Sequence, residues 1–303
     1  MDPTIARSLA AYSPISLDAL NAKAAMLERI DNKYIMPAER LRPALEAMMD
    51  IFDVLEIEGQ RAFSYATRYF DDAERRGYYD HHQRRRKRCK ARVRHYVDAE
   101  FSFLEVKLNE QRAMTAKRRM KIDAPLDQLD GSCMDFVRAC YRDSYGDEFH
   151  KTLEPVILIE YQRITLVAKE GGERLTIDSG MKFQSDQCCQ LARPDMFIIE
   201  TKSARGNGIA DKIFRALHAQ PTKRVSKFCI GMAVTGQVAR HNGFLPALRK
   251  LDLIEFATNA LPSRNSAHDT PLRPRAPADP RITLAASLGG SVSPSRFRKS
   301  VAG

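Results

Sequence analysis

Apolar residues recur along this chain with two different periods. Alternation with a period of two runs over 29–36, 62–70, 90–97, 101–108, 156–168, 173–178 and 196–202, which predicts β-strands, and 225–234 is a further candidate. Helical spacing predicts a helix from Pro37 to Met49, with Leu41, Leu45 and Met48 on one face. Pro37 suits its first turn, and Pro43 is expected to kink or restart it. Two more helices are predicted over Met134 to Tyr145 and Gly208 to His218, the latter with Ile209, Ile213, Phe214 and Leu217 in register. Strands and helices alternate irregularly. No solenoid repeat, G-x-G-x-x-G or G-x-x-x-x-G-K-[ST] occurs, so neither a Rossmann fingerprint nor a P-loop is available.

The polar halves of these strands are unusually charged. Residues two apart in a strand share a face. Lys90, Arg92, Arg94 and Tyr96 alternate with Ala91, Val93 and His95, placing three cations in line. Phe101, Phe103, Glu105 and Lys107 alternate with Ser102, Leu104, Val106 and Leu108. The layout returns in Arg29, Asp31 and Lys33, in Ile159, Tyr161 and Arg163, in Arg174, Thr176 and Asp178, and in Met196, Ile198, Glu200 and Lys202. Unpaired charge is costly in a dry core. Such a face therefore looks to bulk water, or the sheet curls so that it lines a wet interior. The recurrent pairs Glu105/Lys107 and Glu200/Lys202 favour a shared functional surface, and a closed barrel would also remove exposed sheet edges.

Composition narrows the partners. At 303 residues and 44% hydrophobic, the chain can bury a real core. No run approaches the roughly 18 to 20 apolar residues that span a bilayer, and Met1 to Ser16 lacks the form of a secretory signal. The net charge of +11 points to an anionic partner. Six cysteines without C-x-x-C spacing read as reduced thiols, several buried, in a cytoplasmic protein. Leu261 to Gly303 holds six prolines and seven Lys or Arg residues and reads as a disordered basic tail. On the strand faces, Lys33, Arg92, Arg94, Lys107, Arg163, Arg174 and Lys202 outnumber Asp31, Glu105, Asp178 and Glu200, which suits a polyanion with a hard divalent metal. Phosphoryl transfer needs mainly positioning and charge neutralisation, which a cationic, metal-containing tunnel supplies.

These residues in this order resemble the VTC domain, the polyphosphate polymerase module of the CYTH-like, or triphosphate tunnel, superfamily. The matching stretches are Arg29 to Tyr34, Tyr65 to Asp71, Lys90 to Arg94, Phe103 to Lys107, Lys117 to Arg119, Tyr161 to Arg163, Arg174 to Asp178, Ile199 to Lys202 and Ser226-Lys227. The resemblance implies an α+β fold: an antiparallel closed β-barrel of about eight strands, helices packed outside, and a triphosphate tunnel through it. It implies an N-terminal extension over 1–20, the tunnel domain over 21–258 and the tail over 259–303. It implies transfer of the terminal phosphate of ATP to a growing polyphosphate chain with Mn²⁺ or Mg²⁺. Carried over by position, Lys33, Arg92, Arg94, Lys107, Lys117, Arg163, Arg174 and Lys227 are the expected phosphate ligands. Tyr161 and Ser226 are auxiliary donors, with Lys202 and Lys90 further substrate contacts. Glu200 is the expected metal ligand and Glu105 a second, although Glu105 and Asp178 could instead pair with neighbouring cations. Hydrolases and cyclases of the superfamily usually open with Glu-x-Glu-x-Lys; here Arg29-Ile-Asp31-Asn-Lys33 has one carboxylate, which favours the VTC branch.

Other signals have plainer readings. Arg84 to Lys90 is expected to be a basic loop or an entrance attracting anions, with too few exposed aromatics nearby for nucleic acid. His81-His82 reads as surface, Asp71 as a possible lysine partner, and Gly206-Asn-Gly208 as a turn before a helix. The rival functions are a tripolyphosphate or nucleoside triphosphate phosphohydrolase and a non-catalytic polyphosphate-binding module. A membrane partner protein stays open.

Overall fold

The computed structural model describes residues 2–23, 30–109 and 115–259. The chain divides into Met1–Pro262 and Ser263–Gly303. The second unit, and with it the expected basic tail from residue 260 onward, lies outside the described residues.

The chain begins with α1 (Pro3–Ala10), β1 (Pro14–Ile15) and α2 (Leu17–Lys23), followed by β2 (Ile30–Pro37), α3 (Ala38–Met48), β3 (Phe52–Leu55) and β4 (Phe63–Asp71). Then come α4 (Arg76–His82), β5 (Cys89–Tyr96), β6 (Phe101–Asn109), β7 (Thr115–Ile122), α5 (Gly131–Tyr145), β8 (Glu154–Ala168) and β9 (Arg174–Gln184). The last elements are β10 (Cys189–Leu191), β11 (Met196–Ser203), α6 (Ile209–Ala216), α7 (Lys227–Val234), α8 (Leu245–Lys250) and α9 (Ile254–Asn259). The N-terminal residues are part of this architecture. Ile5 and Leu9 of α1 are buried with α3, and β1 pairs with β3.

The main ladder runs β2-β11-β9-β8-β4-β5-β6-β7, antiparallel throughout, with β3 and β10 attached to β8 and β9. No β7–β2 pairing occurs among the described residues, so the expected closed barrel is corrected to an unlaced one. Lys117, Arg118, Arg119 and Lys121 make β7 a cationic edge, which discourages strand addition. The sheet nevertheless curls. β6 and β11 are five steps apart, about 24 Å in a flat sheet, yet the Glu200 carboxylate on β11 acts on the Lys107 ammonium of β6. Ile35 of β2 and Tyr69 of β4, four steps apart, share one core cluster.

The outer face is covered in two halves. Tyr34, Leu175, Ile177, Phe197 and Ile199 pack under α1, α3 and α6. Ala91, Val93, Leu104, Val106 and Leu108 pack under α5. Pro43 lies within α3 without ending it.

The expected strand at 225–234 is a helix, α7, and it occupies the inner face. After Lys227 its sequence is apolar at every position, a pattern that period alone cannot assign. Ser226 decides it as N-cap, its Oγ accepting the Cys229 N–H at 3.4 Å. Phe228 to Val234 are all buried, as a helix apolar on every side must be. A Cβ on Gly231 would stand 2.4 Å from Ile157 Cδ1 and 3.0 Å from Phe183 Cδ1. Gly231→Ala is therefore expected to destabilise the fold by about 1–3 kcal/mol; an unchanged thermal midpoint would show that α7 packs more loosely than this.

Candidate functional site

Below α7, the inner face turns cationic. Lys90, Lys107 and Lys117 stand directly opposite one another across β5, β6 and β7. Like charges in that position destabilise a sheet. Lys90 donates to Ser226 Oγ at 3.1 Å, and neither Lys90 nor Lys107 has a carboxylate within ion-pair distance among the described residues. Arg92 first, then burial, drives the Lys107 ammonium well below its usual range. Burial pushes Lys90 down, and it brings Lys117 to about 8 despite the nearby Glu105.

Glu105 anchors the next row. It is fully buried and accepts from Arg92 Nε at 2.7 Å, with Lys117 Nζ in contact and Arg94 Nη1 at 3.9 Å. Burial alone would raise its carboxyl, but Arg92, Arg94 and Lys117 outweigh it and hold the group far below the usual range. Tyr69 Oη accepts from Arg92 Nη1 at 2.7 Å.

Asp178 anchors the other side. Arg163 grips it through two bonds of 2.6 and 2.8 Å, and Lys227 at the start of α7 contacts the same carboxylate. Against burial, these cations bring Asp178 down to about 2. Tyr161 lies among them, with Lys227 Nζ 4.9 Å and the Arg163 guanidinium 5.4 Å from its ring centroid. Among the described residues its hydroxyl is buried without a hydrogen-bond partner, as is Arg94 Nε. Orphaned polar atoms in a cationic recess are what an absent anion would satisfy.

A third cluster lies at the wet end of β2 and β11. Glu200 Oε1 is 3.3 Å from Lys33 Nζ and 2.6 Å from Lys202 Nζ, and Lys202 also reaches Asp31 at 3.2 Å. Arg174 stands opposite Lys202 in the β9–β11 register. Lys33 and Lys202 hold Glu200 well below its usual range against the effect of burial. Burial, then hydrogen bonding to Glu200, raises Asp31.

The curled sheet and α7 thus bring together every sequence-predicted site residue, with ten cations against four carboxylates. The two expected metal ligands separate. Glu105 is committed to arginine and lysine, the alternative its neighbours left open; Glu200 is also paired, with Lys33 and Lys202, but it has a second carboxylate, Asp31, beside it. Among the described residues no group of three or more His, Cys, Asp or Glu side chains could hold a metal. Two adjacent carboxylates do fit a hard divalent ion that takes its other oxygens from phosphate and water. The sequence offers Tyr69 as a core or wall residue; its cross-strand position opposite Arg92, which gives it a place in the site, is not visible there, and Asp178 has no firm role there.

The discounted signals resolve elsewhere. Lys87 pairs with Asp147 and Arg85 with Asp80. Burial drives His81 down to about 2, and His82 Nε2 lies 2.7 Å from Asn242 Oδ1. Among the described residues Asp71 holds no lysine; its carboxylate accepts the Gly77 and Tyr78 N–H groups of α4 at 2.8 and 2.9 Å. Gly206-Asn-Gly208 leads into α6, whose first N–H groups meet Glu173.

Residues 28–235, more than half of the chain, match the VTC domain. No curated protein matches the sequence. Several solved structures are similar. One, from Hippeastrum, is described as an adenylyl cyclase candidate with a dominant triphosphatase activity; it is 13% identical, with 67% of this chain and 94% of that one covered and a TM-score of 0.38. Another, described as an adenylate cyclase candidate from Vibrio parahaemolyticus, is 10% identical, with 66% and 96% covered and a TM-score of 0.39. A Pyrococcus horikoshii protein is 12% identical over 66% and 96%, with a TM-score of 0.38.

Proposed function

The chain belongs to the VTC domain family, and from that premise we propose that it is a polyphosphate polymerase, transferring the terminal phosphate of ATP to a growing chain. The observation that carries this reading is the opposed row Lys90, Lys107 and Lys117, beside the unpartnered Tyr161 hydroxyl and Arg94 Nε. Two half-buried lysines and an exposed one facing one another across three strands are a poor arrangement for a bare sheet and a good one for an extended phosphate chain.

In the proposed reaction, a terminal oxygen of the acceptor chain attacks the γ-phosphorus of ATP. The new P–O bond forms as the bond to the bridging β–γ oxygen breaks, and ADP leaves with that electron pair. The attacking oxygen is already anionic, so no general base is required. Arg92, Arg94, Arg163, Lys107 and Lys227 neutralise charge on the phosphoryl oxygens; Glu105 holds Arg92 and Arg94, and Asp178 holds Arg163 and Lys227, in place beforehand. Tyr161 and Ser226 donate further hydrogen bonds, while Lys33, Lys90, Lys117, Arg174 and Lys202 extend the electrostatic track. Glu200, with Asp31, would hold Mn²⁺ or Mg²⁺, which supplies Lewis-acid polarisation of the phosphates when bound.

Purified protein with ATP and Mn²⁺ or Mg²⁺ is expected to make chains longer than triphosphate on a polyphosphate gel. Orthophosphate alone would overturn polymerisation in favour of hydrolysis, and tight, salt-sensitive binding without turnover would make this a binding module. Glu200→Gln is expected to lower metal-dependent turnover about 100-fold or more while leaving tripolyphosphate affinity within a few-fold. Full activity of that variant would exclude Glu200 as the essential ligand. Among the described residues no helix is long and apolar enough to cross a membrane.

A further inference from the structure

The wet end of the inner face carries aromatic rings that the fold does not require. Tyr96 ends β5 with Phe101 of β6 directly opposite, and Phe103, two residues on, stands opposite Arg94. Phe101 stacks on Tyr96 with centroids 4.7 Å apart and 25° between planes, and Phe103 meets both edge-on at 6.0 and 5.6 Å. Tyr65 of β4 extends the group, 5.0 Å from Tyr96. All four are half-buried, and Tyr96, Phe101 and Phe103 belong to none of the buried core clusters. The exposed area of these rings is therefore not explained by packing.

The charges around them say what they face. Arg119 lies 4.8 Å from the Phe103 centroid, and Arg94 and Arg163 lie 5.4 and 5.5 Å from that of Tyr65. Arg94 precedes Tyr96 by two residues on the same face of β5, a separation of about 7 Å. The ring group thus begins one strand repeat beyond the guanidinium groups of the lumen. A ligand that suits this sequence of surfaces is anionic at one end and carries a flat apolar ring at the other.

We infer that Tyr96, Phe101 and Phe103 form a stacking platform for the base of a nucleoside triphosphate whose phosphates occupy the cationic lumen. This deepens the polymerase reading and rests on it. Stacking gives the donor nucleotide an advantage that a bare phosphate chain lacks, so donor and acceptor become distinguishable although both present the same phosphate chemistry. Every base has a π-face, so the platform is expected to take ATP and GTP with similar affinity.

The test separates base from phosphate. Affinities for ATP and for tripolyphosphate are measured by calorimetry on the full chain and on Tyr96→Leu and Phe101→Leu, which keep apolar bulk but remove the ring. Each variant is expected to weaken ATP about tenfold, the scale of one lost base–aromatic stack, and to leave tripolyphosphate within twofold. Thermal midpoints check that both variants fold. If both ligands weaken together, the rings act only by supporting the strands, and the inference fails. It also fails if ATP binding is unchanged. A wild-type protein that binds neither ligand would overturn the polymerase reading itself, and this inference with it.

Discussion

Lys107→Met is expected to abolish phosphate chemistry while leaving the fold as stable as before, or more so. Lys107 is half-buried, flanked by Lys90 and Lys117 across the sheet, and depressed well below its usual range by Arg92 and by burial. The methionine side chain fills a similar volume without charge, relieving repulsion in the empty protein. Under the proposed function the same change removes a cation that neutralises the substrate, for which a loss of about 100- to 1,000-fold in kcat/KM is the scale of a deleted charge-stabilising donor. Thermal melting and steady-state kinetics on one preparation check both arms. A thermal midpoint lowered by several degrees with activity intact would place Lys107 in the scaffold instead.

Protonation sharpens this expectation. Lys107 and Lys117, the latter at about 8, have folded-state values below the roughly 10.4 of an unfolded lysine. The unfolded chain then binds more protons across that interval, so stability of the empty protein rises with pH between about 8 and 10.4. Anion binding has the opposite sign. It requires charged amines, so tripolyphosphate affinity is expected to fall as pH rises above about 8. Calorimetry in buffers of different ionisation heat would detect proton uptake on binding. Affinity flat from neutral pH to 10 would remove these lysines from the phosphate site.

Glu105→Gln is expected to have the largest effect on stability. Glu105 is fully buried and compensates Arg92, Arg94 and Lys117 at once. Breaking a buried charge pair costs about 3–5 kcal/mol, because the partner charge is left behind. In a domain of this size that lowers the thermal midpoint by roughly 6–20 °C. Tripolyphosphate at about 1,000 times its Kd would return about 4 kcal/mol, since it supplies the missing negative charge only to the folded state. The carboxyl's folded-state value lies below its unfolded one, so its contribution is present above the unfolded value of about 4.3 and is lost as pH falls. A variant melting within a degree or two of wild type would show that Glu105 is not the charge anchor.

Charge alternation made the site legible. Lys90, Arg92 and Arg94 share a face in the sequence as they do in the fold, and the same holds for Glu200 and Lys202. What alternation could not convey was depth. By alternation Lys227 fell in a candidate strand, and only the family resemblance singled it out; it is the first residue of a helix that fills the inner face, a placement fixed by the Ser226 cap and by close approach at Gly231. β7 escaped notice because Arg118 interrupts the apolar positions Ala116, Met120 and Ile122; on the outer side it pairs with Asp143 of α5. Closure was illegible for a related reason. Whether end strands lace together depends on partners remote in sequence, and here the far partner is a cationic edge.

The position of α7 also governs traffic. Past Lys227 a phosphate chain would meet Phe228 and Ile230 packed with Ile157, Ile159 and Phe183, with no polar group to replace its hydration. Among the described residues, α7 thus covers the inner face beyond Lys227 with apolar side chains. Under the proposed polymerase reaction, a lengthening chain would find no polar path past α7, and each added unit would drive the finished portion back toward the solvent.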